Sequence, residues 1–495
     1  MNESGSSREE RTSALEIATA VHVAVFFAAT TWALGGNGLW LRPELAGWGS
    51  LGVLFTLGAL ITGRTAGHRL FRRLWPFLLF NLLVLVSLLT PGLRAIHFGD
   101  EIMYLPREIS AFVPTAAVPG EALRALWLFD AIYLSCFNLL LVVRRRTTLR
   151  GLLVFAAANA LVLAVFGTLQ KFAYADGPFF GLVKTRQPLF FSSFLYHNHW
   201  GAFTILMTTA CLGLVWHFGT RRHGRDFFHT PAFAGLVAVF FLAATVPLCG
   251  SRSCSLLLAL MLGGFFVHWL VRTVARMRRR REQVAPLLTG AFAAMALGGA
   301  AIGFLASDMI SLRIALTESQ LEAMHAQGGV GSRIVLYRDT WNMARGRPLF
   351  GWGMASYPHI FMIYNTQGPN RTDRLPIFYS TAHNDWFQAF AEHGFVGTAL
   401  LGLCALVPLT GLRRPQFEHS IPVCLLLGCT AILLYSWVEF PFGNIAVVLT
   451  WWLCFFCAAA YARLLPSRGN PPSVPRRTHR EPRVYSLPGT DGGGT

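Results

Sequence analysis

Charge is scarce in this chain: Lys, Arg, Asp and Glu make up 13% of its 495 residues, while 54% are hydrophobic. That leaves too little polar surface to cover one soluble globule. The nine cysteines form no paired framework in the polar segments; all lie in or at the edge of apolar runs, which argues against disulfides and zinc. Cys454 and Cys457 spell CxxC, but on an apolar helix they read as packing. No small-residue cleavage site follows the first apolar run, so that run is expected to be retained, not removed as a signal peptide. Neither a short internal repeat nor an appended soluble domain is expected.

What the chain does have is apolar runs long enough to cross a hydrocarbon core of about 30 Å as helices. Twelve are expected, near 14–34, 46–63, 74–90, 122–143, 151–172, 198–218, 232–249, 255–274, 285–305, 394–412, 421–439 and 443–464. The fold class is therefore an all-α polytopic membrane protein lying in a lipid bilayer. The formal charge of +18 would suggest nucleic acid in a soluble protein. Here most Lys and Arg, including Arg144 to Arg146 and Arg278 to Arg281, sit at the two termini or follow the even-numbered spans. By the positive-inside rule those segments are cytoplasmic, both termini with them, and no nucleic-acid partner is expected.

Three regions follow. Residues 1–13 form a cytoplasmic N-terminus. Residues 14–464 form the membrane domain, including a long outer loop at 306–393. Residues 465–495, rich in Pro, Arg, Ser and Gly, form a disordered cytoplasmic tail. The other outer connections read mostly as short. The long loop is too rich in Trp, Tyr, Arg and His for a solvated linker. Within it Leu336, Tyr337, Thr340, Trp341 and Ala344 recur at helical spacing, so Arg333 to Arg345 is expected as an amphipathic helix on the membrane surface. Pro348 and Gly351-Trp352-Gly353 end it.

Polar groups that can carry chemistry recur on the outer side. Arginine is a poor base but a good bidentate partner for phosphate oxygens, so Arg186, Arg252, Arg333 and Arg338 are candidates to grip a diphosphate. Lys184 is an alternative to Arg186, Arg252 could instead snorkel to headgroups, and Arg333 and Arg338 could be the wet face of an interfacial helix. A neutral imidazole accepts a proton near pH 7, so His383 can activate a hydroxyl; alone it could equally anchor the tenth span. His197 and His199 lack a carboxylate cluster beside them, so no metal is expected, and Asn198 reads as setting a helix entry. Gly394 and Gly397 alone would indicate close helix packing. Asp130 and Glu439 are the main acidic groups that a transporter or lipid flippase, the rival class suggested by twelve spans, could use.

Several of these residues fall into longer motifs. His383-Asn384, nine residues, then Gly394-x-x-Gly397 at the start of a late span resembles the signature of the bacterial O-antigen ligase and polymerase family. Gly331-Ser332-Arg333 through Tyr337, Arg338 and Trp341 looks like that family's loop helix, and Arg347-Pro348-Leu349-Phe350-Gly351-Trp352-Gly353 like its turn. Ser251-Arg252-Ser253 resembles its Ser-Arg motif and Asn198-His199-Trp200-Gly201 its span start. The resemblance covers about Arg186 to Leu412. It implies a C-type glycosyltransferase of the bacterial inner membrane, working on its periplasmic side without metal or other cofactor. The implied donor is a polyprenyl-diphosphate-linked glycan; the acceptor is a lipopolysaccharide core, a growing glycan or a protein hydroxyl. On that resemblance His383 is the base or acceptor-positioning group, and Arg252, Arg333 and Arg186 hold the diphosphate. Tyr337 stands where the family often has Trp.

Overall fold

The computed structural model describes residues 13–98, 101–185, 187, 189–219, 227–326, 332–366, 378–412 and 419–465. The expected disordered tail and most of the N-terminal segment fall outside these residues. The long helices are α1 (Ala14–Trp32), α2 (Arg42–Ser50) continuing into α3 (Gly52–Ile61), α4 (Gly67–Ser87), α5 (Pro119–Val142), α6 (Arg146–Phe172), α7 (His197–Gly219) and α8 (Pro231–Leu248). They continue with α9 (Arg252–Arg279), α10 (Ala285–Leu305), α14 (Asp385–Leu406), α15 (Ser420–Tyr435) and α16 (Ile445–Arg463). Among the described residues, eleven helical segments are long and apolar enough to cross a membrane; α15, on the eleventh expected span, is shorter. The chain is an all-α polytopic membrane protein.

Such helices form because every backbone donor and acceptor inside them is satisfied within the segment. Their starts carry the expected caps: Ser13 accepts from the Glu16 amide, Thr230 from that of Phe233, and Pro231 occupies the first turn of α8. The centre of the bundle is α16, which is almost wholly buried, with α7 and α5 around it. Trp200, Tyr133, Phe26, Phe137 and Phe203 fill this core. At the periphery, α10 buries none of its apolar window against the rest of the chain.

Two spans end differently from the sequence expectation. The tenth begins at Asp385, nine residues before Gly394, because Asn384 caps it with its side chain on the Phe387 amide. The eleventh stops at Tyr435 instead of 439, and residues 436–444 form an irregular connection ending at the Asn444 cap of α16. Irregular backbone at this level is tolerated where protein satisfies it.

Outside the bundle lie α11 (Ser307–Ala326), α12 (Ser332–Gly346) and α13 (Tyr357–Tyr364). α12 covers the segment expected as an amphipathic helix. The connection between the third and fourth spans is longer than expected and carries an antiparallel hairpin of β1 (Leu93–Phe98) and β2 (Glu101–Pro106). It docks on the loop: the Ala117 amide donates to the Trp352 carbonyl at 3.1 Å, and buried Arg347 donates to the carbonyls of Ile109 and Ser110 at 2.8 and 3.1 Å. Leu93, Leu336, Met343, Tyr357, Ile360 and Phe361 share a small second core.

Candidate active site

The turn after α12 and the break in α14 interlock through their backbones. Gly394 adopts φ +62°, ψ −170°, a region that only glycine enters readily, and this opens the helical ladder. The amides of Phe395 and Val396 then donate to the carbonyls of Pro348 and Leu349 at 2.8 and 3.0 Å. In return, Trp352 and Gly353 donate to the carbonyls of Ala391 and Glu392 at 2.9 and 2.8 Å. A Cβ at Gly394 would fall on the Leu349 carbonyl. Gly397 serves close packing, with His393 and Leu83 against it. The two sequence motifs are thus two halves of one joint, which fixes α12 against the start of α14.

At that start, His383 has φ +49°, a left-handed conformation uncommon for a side-chain-bearing residue. Its carbonyl accepts from the Tyr337 hydroxyl at 2.9 Å, and the next residue is the α14 cap, so both neighbours fix it. The ring stands edge-on to Phe440, 4.5 Å between centroids.

The 436–444 connection brings in the group that organises the site. Glu439 is buried; its Oε1 accepts from Arg333 Nη2 at 2.7 Å and from Asn198 Nδ2 at 2.9 Å. Its Oε2 lies 3.7 Å from His383 Nδ1, an ion-pair separation longer than a hydrogen bond. Asn198 is held in turn by Ser251, whose hydroxyl donates to Asn198 Oδ1 at 2.6 Å, and it also donates to the Tyr196 hydroxyl at 2.9 Å. The connection is braced by the Asp385 amide on the Ser436 carbonyl at 3.0 Å and by Asp385 Oδ2 on the Phe442 amide at 2.9 Å.

A second polar group adjoins the first. Arg313 of α11 reaches His197 Nε2 at 2.7 Å and the Gly250 carbonyl at 2.6 Å. Arg252, exposed, donates to the Thr317 hydroxyl and lies within electrostatic reach of Arg313 and His197. The two guanidinium groups thus make a cationic corner around His197, which is itself within electrostatic reach of Glu439.

Burial alone would push the Glu439 carboxyl up; the facing His383 and Arg333 outweigh it and hold the group below its ordinary value of 4.5. For Arg333 burial opposes the charge, and Glu439 more than compensates, keeping it above its ordinary value. Arg313 is lowered by burial and by its neighbour Arg252.

The structure therefore brings together His383, Asn384, Arg333 and Asn198, and sets Arg252 next to them. Arg338 faces elsewhere, with Nε 3.5 Å from Asp339 and Nη2 3.2 Å from the Thr366 hydroxyl. With Tyr337, Trp341 and Phe387 it lines a shallow groove of about 370 Å³. Arg186 lies outside the described residues. Sequence reading passed over Arg313 and placed Glu439 in a rival, transport role. Glu439 was detectable as a lone carboxylate closing an apolar run just before Pro441.

Fold and site together define a polytopic membrane protein whose polar centre is built at one end of the bundle from a long loop and the broken ends of spans. Residues 237–402 match the family model described as O-antigen ligase. The matched segment contains Arg252, Arg333, His383, Gly394 and Gly397, and excludes Asn198 and Glu439. No curated protein matches the chain. The O-antigen ligase match supports a glycosyltransferase-type role in O-antigen biosynthesis.

Proposed function

We propose that the chain transfers a glycan from a polyprenyl-diphosphate carrier to an acceptor hydroxyl on the periplasmic side of the bacterial inner membrane, as an O-antigen ligase or a related polysaccharide polymerase. The observation that carries this reading is the Glu439–His383 pair beside Arg252 and Arg313. With Nδ1 turned to the carboxylate, His383 keeps Nε2 for a substrate proton, the arrangement of a base oriented by an acid. The acceptor oxygen attacks the anomeric carbon and its proton passes to Nε2. The bond from that carbon to the phosphate oxygen breaks, and the diphosphate leaves with the electron pair. Arg252 and Arg313 are placed to meet that charge without a metal. Arg333 is committed to Glu439 through one nitrogen, so its primary role is to keep the carboxylate charged and in place; its half-exposed face remains available to the donor.

The transporter reading relied on Glu439 as an acid inside a span. Its position in a connection, neutralised by Arg333, supports the transferase instead. The test is transfer of a lipid-linked glycan by purified protein in proteoliposomes. A new glycosidic bond that depends on donor and protein is expected; movement of donor across the bilayer without bond formation would favour the transporter.

A further inference from the structure

The opposite end of the bundle gathers positive charge. α1 fixes the two ends: its last turn leads to Gly36 against Ile445 near the site, and its cap, Ser13, contacts Arg64 at the other. α5 and α16 run side by side towards that second end, where α5 stops before Arg144 and α16 closes on Arg463; α4 starts there, with Arg69, Arg72 and Arg73 in its first two turns. Arg73 lies within electrostatic reach of Arg69, Arg72, Arg144 and Arg463, and Arg463 of Arg144 and Arg69. Five guanidinium groups from three helix ends therefore converge.

Arg73 and Arg463 are only partly exposed, and neither has a hydrogen bond or ion pair to a described residue. The nearby carboxylate among the described residues, Glu16, is already engaged by the Arg145 amide at 3.2 Å, the Thr148 hydroxyl at 2.6 Å and Arg64 at 4.0 Å. Like charges pressed together at the edge of an apolar bundle call for an anion. The start of α4 has no side-chain cap, so its leading amides add positive potential at the same end. From this cluster, Phe71, Leu78, Leu82 and Leu85 run exposed along α4 at helical spacing, an apolar lane the length of an acyl chain.

We propose that Arg69, Arg73, Arg144 and Arg463 form a binding site for the phosphate of an anionic phospholipid whose acyl chain lies along α4. Basic pockets between membrane helices bind such headgroups, at a gain of about tenfold or less per arginine. The apolar lane distinguishes a lipid from free phosphate.

The test is native mass spectrometry of the purified full-length chain titrated with phosphatidylglycerol, phosphatidylcholine or sodium diphosphate. Wild-type protein is expected to retain phosphatidylglycerol at least tenfold more strongly than phosphatidylcholine, and to be occupied by diphosphate only at far higher concentration. Arg73→Gln with Arg463→Gln should reduce the phosphatidylglycerol preference about tenfold, whereas Arg73→Lys should retain most of it. Equal retention of the two lipids by wild-type protein, an undiminished preference in a monodisperse double variant, or diphosphate binding as tight as lipid would each overturn the proposal. The wild-type comparison stands even if the double variant does not fold.

Discussion

Glu439 Oε2 lies 3.7 Å from His383 Nδ1, while its other oxygen is held by Arg333 at 2.7 Å and by Asn198 at 2.9 Å. A carboxylate fixed on one side by a cation and an amide can present its second oxygen to an imidazole in one orientation only. Glu439→Gln keeps the shape and removes the charge. It should lower transfer about ten- to a hundredfold with little change in donor affinity, measured as single-turnover rate against donor Kd. Unchanged turnover would show that the carboxylate only supports the fold.

The same pair sets a pH dependence. Glu439 is depressed below its ordinary 4.5 in the folded chain, so its contribution to stability is fully present above that value and is lost as pH falls through the folded value. Wild-type Tm in detergent should therefore hold its Glu439-dependent part from neutral pH down to about 4.5 and lose it below. Glu439→Gln should lack that part at every pH, so the Tm difference between the two proteins should narrow under acid conditions.

Gly394→Ala places a methyl group on the Leu349 carbonyl and asks alanine to adopt φ +62°. The expected destabilisation is about 1–3 kcal/mol from backbone strain, before any loss of the interlocked hydrogen bonds. Tm should fall and transfer with it. Gly402→Ala, in open space on the same helix, is the control and should leave both unchanged.

Arginines should separate by position. Arg252→Gln and Arg313→Gln each remove charge from the corner around His197 and should raise donor KM about tenfold. Arg338→Gln should change it less than threefold, because that side chain faces Asp339 and Thr366. Arg333→Lys loses the planar group that reaches both Glu439 and the Val438 carbonyl, and should lower transfer more than it lowers Tm.

Much of the fold was legible because membrane helices are written in long apolar runs, and length alone locates them. The break in α14 was not: Gly394 and Gly397 have the spacing of helix packing, and only the docking of Pro348 and Leu349 distinguishes an opened helix from a closed one. The hairpin at residues 93–106 escaped because short strands in a polar connection carry no strong periodicity. Within the site, His383 and Arg333 stood out as polar groups in recognisable motifs. Glu439 did not, since a carboxylate at the end of an apolar run looks the same whether it serves transport or holds a base. Arg313 resembled any wet residue of α11, and its partner His197 lies 116 positions away in the chain.

The central claim is that His383 takes the acceptor proton. It is tested most directly by the single-turnover transfer rate of purified wild-type and His383→Ala protein in proteoliposomes at saturating donor. The account predicts a fall of at least about a hundredfold with donor Kd within threefold of wild type. Transfer at the wild-type rate by a folded, donor-bound His383→Ala protein would contradict it.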